Sequence, residues 1–118
     1  MKAIIEVSRK GSAFATANEQ VVSARKGRVP DLRLSFESAR SLFAECTPAR
    51  LELLNTLREV GPCSVYALAK AANRNYSNVH SDVARLEDLG LIDRAEDGAI
   101  SVPYTSVEIR LPLARAVA

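Results

Sequence analysis

Between Thr47 and Gly90 the chain carries three successive helix starts and three successive stops, and this punctuation constrains the fold more than any other feature. Thr47-Pro48 opens the first helix, because the hydroxyl can cap an orphan amide and proline is pre-set for the first helical position. Leu51, Leu54 and Leu57 mark a core face, Val60 extends it, and Gly61-Pro62 stops the helix. Ser64 can cap a second helix, whose narrow apolar face of Val65, Leu68, Ala69 and Ala72 is small enough for close packing. Asn73-Arg74-Asn75 forms a turn. A third helix succeeds it, with Val79, Val83, Leu86 and Leu89 inward and Gly90 as its stop. The pattern predicts helices over residues 47–60, 64–72 and 76–89. The next segment, LIDRAEDGAISVPY, predicts a hairpin over 91–104 turning at Asp97-Gly98, since Asp-Gly is a strong hairpin signal.

The flanks read differently. Ala3-Ile4-Ile5-Glu6-Val7 has the β-branched content of a short strand, ended by Gly11-Ser12. Phe14, Ala17, Val21 and Ala24 recur at helical spacing, with Arg25 and Lys26 where a helix dipole favours cations and Gly27 as a stop. Leu32-Arg33-Leu34-Ser35-Phe36 alternates as a half-buried strand does, and residues 38–44 read as a short helix. Val107-Glu108-Ile109-Arg110-Leu111 alternates again. The expected organisation is a β-α-β-like extension over 1–46, a helical domain over 47–104, and a C-terminal strand and tail over 105–118. The strands outside the hairpin can assemble a small sheet, and an unpaired sheet edge favours dimerisation through the extension.

With 118 residues, 47% hydrophobic and 25% charged, the chain fits a small globular protein. No apolar run approaches the roughly 20 residues that cross a bilayer, and Glu6 breaks the N-terminal apolar stretch too early for a secretory signal, so a cytoplasmic location is expected. Cys46 and Cys63 stand without a CxxC pair and beside a single histidine, which argues against a zinc site or disulfide framework and predicts two reduced, partly buried thiols. No cofactor or metal is expected. Paired catalytic carboxylates, a nucleophile motif and a glycine-rich phosphate loop are all missing from the sequence, so the chain does not read as an enzyme. Ser64 is a helix cap rather than a nucleophile. The net charge of +2 is unevenly spread: eight Lys/Arg face five Asp/Glu over residues 1–46, but six face eight over 47–104.

Three helices with a short second member, a tight polar turn and a hairpin directly after the third are the parts of a winged helix-turn-helix within an α+β chain. In that arrangement the second helix braces the third, whose outward face fits the major groove, while the hairpin wing reaches adjacent backbone. The elements TPARLELL, SVYALAKAANRNYSNVHSDVARLEDLGLI and VPY give nearly everything after Leu34 a closer likeness. It resembles small prokaryotic winged-helix DNA-binding regulators, broadly related to the multiple-antibiotic-resistance repressor type. The resemblance implies transcription regulation, commonly repression by a homodimer on double-stranded DNA, and sometimes an antitoxin role beside a toxin partner. The chain departs from a strongly cationic reading helix, because Arg85 is the only Arg or Lys on the third helix, which also carries Asp82, Glu87 and Asp88.

At 100° per residue, Ser77, Ser81, Ala84, Arg85 and Asp88 turn outward, flanked by Asn78 and His80. Ser and Asn can bond base edges or phosphates, and Arg85 can reach guanine or phosphate. Arg74, Asn75, Tyr76 and Ser77 sit where free amides and the helix dipole favour phosphate, and Arg94 lies on the first wing strand. The candidate DNA-binding residues are therefore Arg74, Asn75, Tyr76, Ser77, Asn78, His80, Ser81, Arg85 and Arg94. Plain structural readings stand beside them: a solvated His80, a packed Tyr76, a helix-surface ion pair of Arg85 with Asp82 or Asp88, and a solubilising Arg94. The acidic balance of 47–104 supports a rival function, a winged-helix module that binds protein and little DNA.

Overall fold

A computed structural model describes residues 1–8 and 31–114. The helix expected over 14–24 lies outside the described residues. Those described form an α+β protein in the order β1 (Lys2–Val7), β2 (Leu32–Phe36), α1 (Ala39–Glu45), α2 (Pro48–Val60), α3 (Val65–Ala72), α4 (Tyr76–Asp88), β3 (Asp93–Arg94), β4 (Ile100–Ser101) and β5 (Ser106–Arg110). They divide into two compact units, one from residues 1–8 and 31–44 with 106–114 and the other over 45–105.

In the first unit the two ends of the chain share one sheet, of order β2-β1-β5. Both pairings are parallel, with Ile5 opposite Leu34 on one side and Ile109 on the other. β1 is the central strand, and Ala3, Ile4 and Ile5 are all buried. Burial of consecutive residues means that both faces of β1 are covered, which is why it reads as an unbroken apolar run rather than an alternating one. The edges are less covered. Val107 and Ile109 alternate along β5 as a half-buried strand should, yet they are 36% and 37% exposed.

The second unit is built on local signals. Thr47 Oγ1 accepts from the Arg50 amide at the start of α2, and Ser64 Oγ accepts from the Ala67 amide at the start of α3. Asn75 does the same for α4, accepting from the amides of Ser77 and Asn78. Asn73 ends α3 in the left-handed region at φ 52°, a conformation asparagine tolerates better than most residues. The core is formed by Leu53, Leu54 and Leu57 of α2, Leu68 of α3, and Val79, Val83 and Leu86 of α4, with Leu91, Ile92 and Ile100 from the hairpin region. On α2 this face differs from the 51-54-57-60 series. A strict three-residue step drifts about 60° backwards each time on a helix of 3.6 residues per turn. Leu53 therefore joins Leu57 in the core while Leu51 is only half-buried, and Val60, in the last turn, is 48% exposed.

β3 and β4 pair antiparallel around a turn in which Gly98 adopts φ 88°, so the hairpin closes at Asp97-Gly98. Cys63 bridges to Ile100 from the other side, through Cys63 N to Ile100 O at 3.1 Å and Ile100 N to Cys63 O at 2.8 Å. Two further bonds tie the hairpin region to the helices: Arg58 donates to the Val102 carbonyl at 3.0 Å, and the Tyr104 hydroxyl donates to the Gly90 carbonyl at 3.1 Å. No helix among the described residues is long and apolar enough to cross a membrane.

Candidate functional site

α4 separates its two faces cleanly. Val79, Val83 and Leu86 are buried, whereas Ser77, Asn78, His80, Ser81, Ala84 and Asp88 are exposed. The exposed face is polar and carries no Lys, Arg, Asp or Glu over its first two turns, because the helix needs only one apolar stripe to dock and the other positions are free to vary. Its N-terminal amides are not all open to an anion. Asn75 Oδ1 takes those of Ser77 and Asn78 at 2.9 and 3.3 Å, so this end is less receptive to phosphate than an uncapped helix start.

The arginines have internal partners. Arg74 Nη2 donates to Asp82 Oδ2 at 2.8 Å, and Arg50 Nε donates to Asp82 Oδ1 at 3.0 Å. Arg50 Nη1 continues to the Glu45 carbonyl at 2.9 Å, and the Glu45 carboxylate accepts a two-pronged bond from Arg85, with Nη2 to Oε1 at 2.8 Å. Cations and anions thus alternate as Arg74, Asp82, Arg50, Glu45, Arg85, joining the end of α1, the start of α2, the α3–α4 turn and α4. Asp88 approaches Arg85 at 4.0 Å. Arg94, on β3, pairs with Glu87 at 3.1 Å and donates to the Gly98 carbonyl at 3.2 Å, so its head is fixed against its own hairpin.

The ion chain tunes its carboxylates. The hydrogen bond from Arg85 holds the Glu45 carboxyl below its ordinary range, against some desolvation. Burial pushes the Asp82 carboxyl up, but the hydrogen bonds and charges of Arg74 and Arg50 outweigh it and leave it lowered. Burial raises both the Cys46 and Cys63 thiols, which disfavours the reactive thiolate. Among the described residues no group of His, Cys, Asp and Glu could hold a metal ion.

Beside α4 lies a group from which sequence reasoning picks out only Arg74, Tyr76 and His80. The ring of Tyr66, on α3, is 6.4 Å from that of Tyr76, which in turn is 5.8 Å from His80, both pairs tilted. Lys70 Nζ stands 5.3 Å from the centroid of the Tyr66 ring. Tyr66 and Tyr76 are 59% and 48% exposed, so Tyr76 is not a core residue. Tyr66, Lys70, Arg74 and Tyr76, with Ala69 and Asn73, line a cavity of about 290 Å³. The sequence does hold a trace of this group, in the i,i+4 spacing of Tyr66 with Lys70 and of Tyr76 with His80. Of the candidate residues, Arg74, Tyr76 and His80 gather here and Asn75 caps the helix. Ser77, Asn78 and Ser81 lie on its exposed face, while Arg85 and Arg94 are drawn to Glu45 and Glu87.

No curated protein and no solved structure matches this chain. A family model described as HVO_A0114 matches residues 45–109, from the Glu45 of the ion chain through α2, α3, α4 and the hairpin into β5. The match spans more than half of the sequence, and the chain belongs to the HVO_A0114 family.

Proposed function

We propose that residues 45–105 are a winged helix-turn-helix, with α4 as reading helix and β3–β4 as wing, and that the protein is a homodimeric, sequence-specific regulator of transcription acting on double-stranded DNA. The observation that carries this reading is the exposed face of α4: Ser77, Asn78, His80 and Ser81 present hydrogen-bonding side chains on a face narrow enough for the major groove. With Arg85 and Arg94 tied to carboxylates, base reading falls mainly to these hydrogen-bonding groups. The exposed edge strand β5, with Val107 and Ile109 on one face, supports dimerisation outside the helical unit. The test is footprinting on the DNA upstream of the protein's own gene, with affinity then measured on the protected site. Asn78→Ala is expected to cost about 1–3 kcal/mol and to relax preference at one base position. Absence of any protected site, with no binding to bulk duplex at low salt, defeats the reading.

A second reading is favoured by one observation, the pairing of Arg74, Arg85 and Arg94 with Asp82, Glu45 and Glu87. It makes the same face a docking surface for a protein, such as a toxin. Binding to a partner protein with a shallow salt dependence, together with no duplex affinity, distinguishes it.

A further inference from the structure

We propose that the cavity lined by Tyr66, Lys70, Arg74 and Tyr76 is a phosphodiester subsite that grips the backbone of duplex DNA beside the groove occupied by α4. This rests on the DNA-binding reading above and adds to it a contact on α3, a helix that otherwise only braces α4.

Three observations converge on an anionic oxygen ligand. Arg74 Nη1 is buried and has no hydrogen-bond partner among the described residues, although Nη2 of the same guanidinium is satisfied by Asp82. A buried guanidinium nitrogen without an acceptor is costly, and a small shift of the Arg74 side chain, itself 29% exposed, would let a charged oxygen in the cavity complete it. Lys70 supplies the second cation. Its ammonium has the Tyr66 ring within reach and no carboxylate among the described residues, unlike Arg50, Arg74, Arg85 and Arg94 of the same unit. The third observation is the lining itself. Lysine and arginine can only donate, and tyrosine hydroxyls can donate, so the cavity is rich in donors and carries no carboxylate.

The chemistry also separates a phosphodiester from other anions. The lining includes two exposed tyrosines, which bring apolar ring carbons as well as hydroxyls. A phosphodiester brings deoxyribose carbons on both sides of its charged oxygens, matching ring faces beside cations. Tyr76 begins α4, so a strand seated here runs next to the exposed face of Ser77, Asn78 and Ser81. Backbone contacts of this type fix register without reading sequence.

The test is the salt dependence of duplex binding by wild type, Lys70→Gln and Tyr66→Phe. Both side chains are exposed and outside the core, so unchanged thermal unfolding is expected. Each phosphate contact contributes about 0.9 to the slope of log K against log salt. Lys70→Gln is expected to flatten the slope by about that amount, equivalent to an affinity loss of about eightfold near 0.1 M salt, equally on specific and random duplex. Tyr66→Phe is expected to weaken binding severalfold with little change of slope. A scan of single uncharged methylphosphonates along the site then identifies the partner: at one position the modified duplex should no longer distinguish wild type from Lys70→Gln. An unchanged slope in folded Lys70→Gln, or full additivity at every position, overturns the subsite while leaving the DNA reading intact. Inorganic phosphate that saturates the Tyr66 and Lys70 resonances at millimolar concentration, with the duplex slope unaltered, also overturns it in favour of a free-anion site. Wild type that binds no duplex at low salt overturns both.

Discussion

The two units are held together in opposite ways. The 45–105 unit is assembled from neighbours in sequence: α2, α3, α4 and the hairpin succeed one another with connections of a few residues, and each helix brings its own cap in Thr47, Ser64 and Asn75. The other unit depends on distant partners, because β1 near the N-terminus is sandwiched between β2 and a strand that begins at Ser106. Local assembly makes the helical unit robust to changes at the chain ends and sensitive to its own core, while the sheet has the reverse vulnerabilities. Parallel pairing over such separations also carries a larger loop-closure entropy, so the sheet has more to lose when one strand goes.

The largest effect should come from the helical core. Leu57 is fully buried among Leu53, Leu54 and the residues of α3 and α4, and Leu57→Ala is expected to cost about 2–5 kcal/mol, read as a lower urea midpoint by far-ultraviolet circular dichroism. A loss below about 1 kcal/mol would mean that α2 is not the centre of this unit. Truncation after Thr105 probes the other side of the comparison. It removes β5 and one of the two neighbours of β1, and is expected to abolish protection of the β1 amides from hydrogen exchange while the amides of α4 stay protected. Loss of protection in both places would show that the helical unit is not self-sufficient.

How far each region can be read from the sequence obeys the same division. The caps, stops and Asp97-Gly98 turn of the helical unit are encoded within a few residues of where they act, so the three helices lie within a residue of their expected bounds, while the hairpin expected over 91–104 pairs only from Asp93 to Ser101. The alternation of Leu32 to Phe36 and Val107 to Leu111 marks strands but carries no information about order or direction, and the parallel β2-β1-β5 arrangement had no local signal. The candidate site divides likewise. The exposed face of α4 comes from helical periodicity alone. The Arg50–Asp82 pair, 32 residues apart, and the Arg85–Glu45 pair, 40 apart, are products of packing, and periodicity cannot foresee them. Arg85 therefore looks free in the sequence, for DNA or for an intrahelical partner, when its main partner is the last residue of α1.

That ion chain predicts where acid acts. Asp82 and Glu45 have lowered carboxyl values in the folded protein. The stability they contribute is complete above the ordinary carboxylate range and is lost as pH falls through their lowered values. Unfolding of the 45–105 unit should therefore become easier below that range, and the double variant Glu45→Gln, Asp82→Asn should be less stable at neutral pH but show a flatter dependence of urea midpoint on pH. An equally steep dependence in the double variant would place the acid sensitivity in other groups.

Within the hairpin the expected effects are smaller and separate conformation from contact. Gly98 sits at φ 88° with open space where a side chain would go. Gly98→Ala therefore meets only the backbone penalty of the left-handed region, about 1–2 kcal/mol, with no clash to add. A neutral outcome would mean that the turn relaxes to another type.

Arg94→Ala should have the smallest effect on stability and the clearest use. The Arg94–Glu87 pair is about a third exposed on each side, and pairs of that kind contribute between 0 and about 1 kcal/mol. Loss of the Gly98 carbonyl bond adds little, because water can replace it on an exposed hairpin. If the wing lies on DNA backbone, the same substitution removes a cation next to phosphate and should flatten the salt slope by close to one phosphate contact, about 0.9, while the unfolding midpoint hardly moves. A stability loss of more than about 1 kcal/mol with an unchanged salt slope would make Arg94 a hairpin brace alone. It would leave the α3–α4 side, with Lys70 and the two tyrosines, as the place where the helical unit meets phosphate.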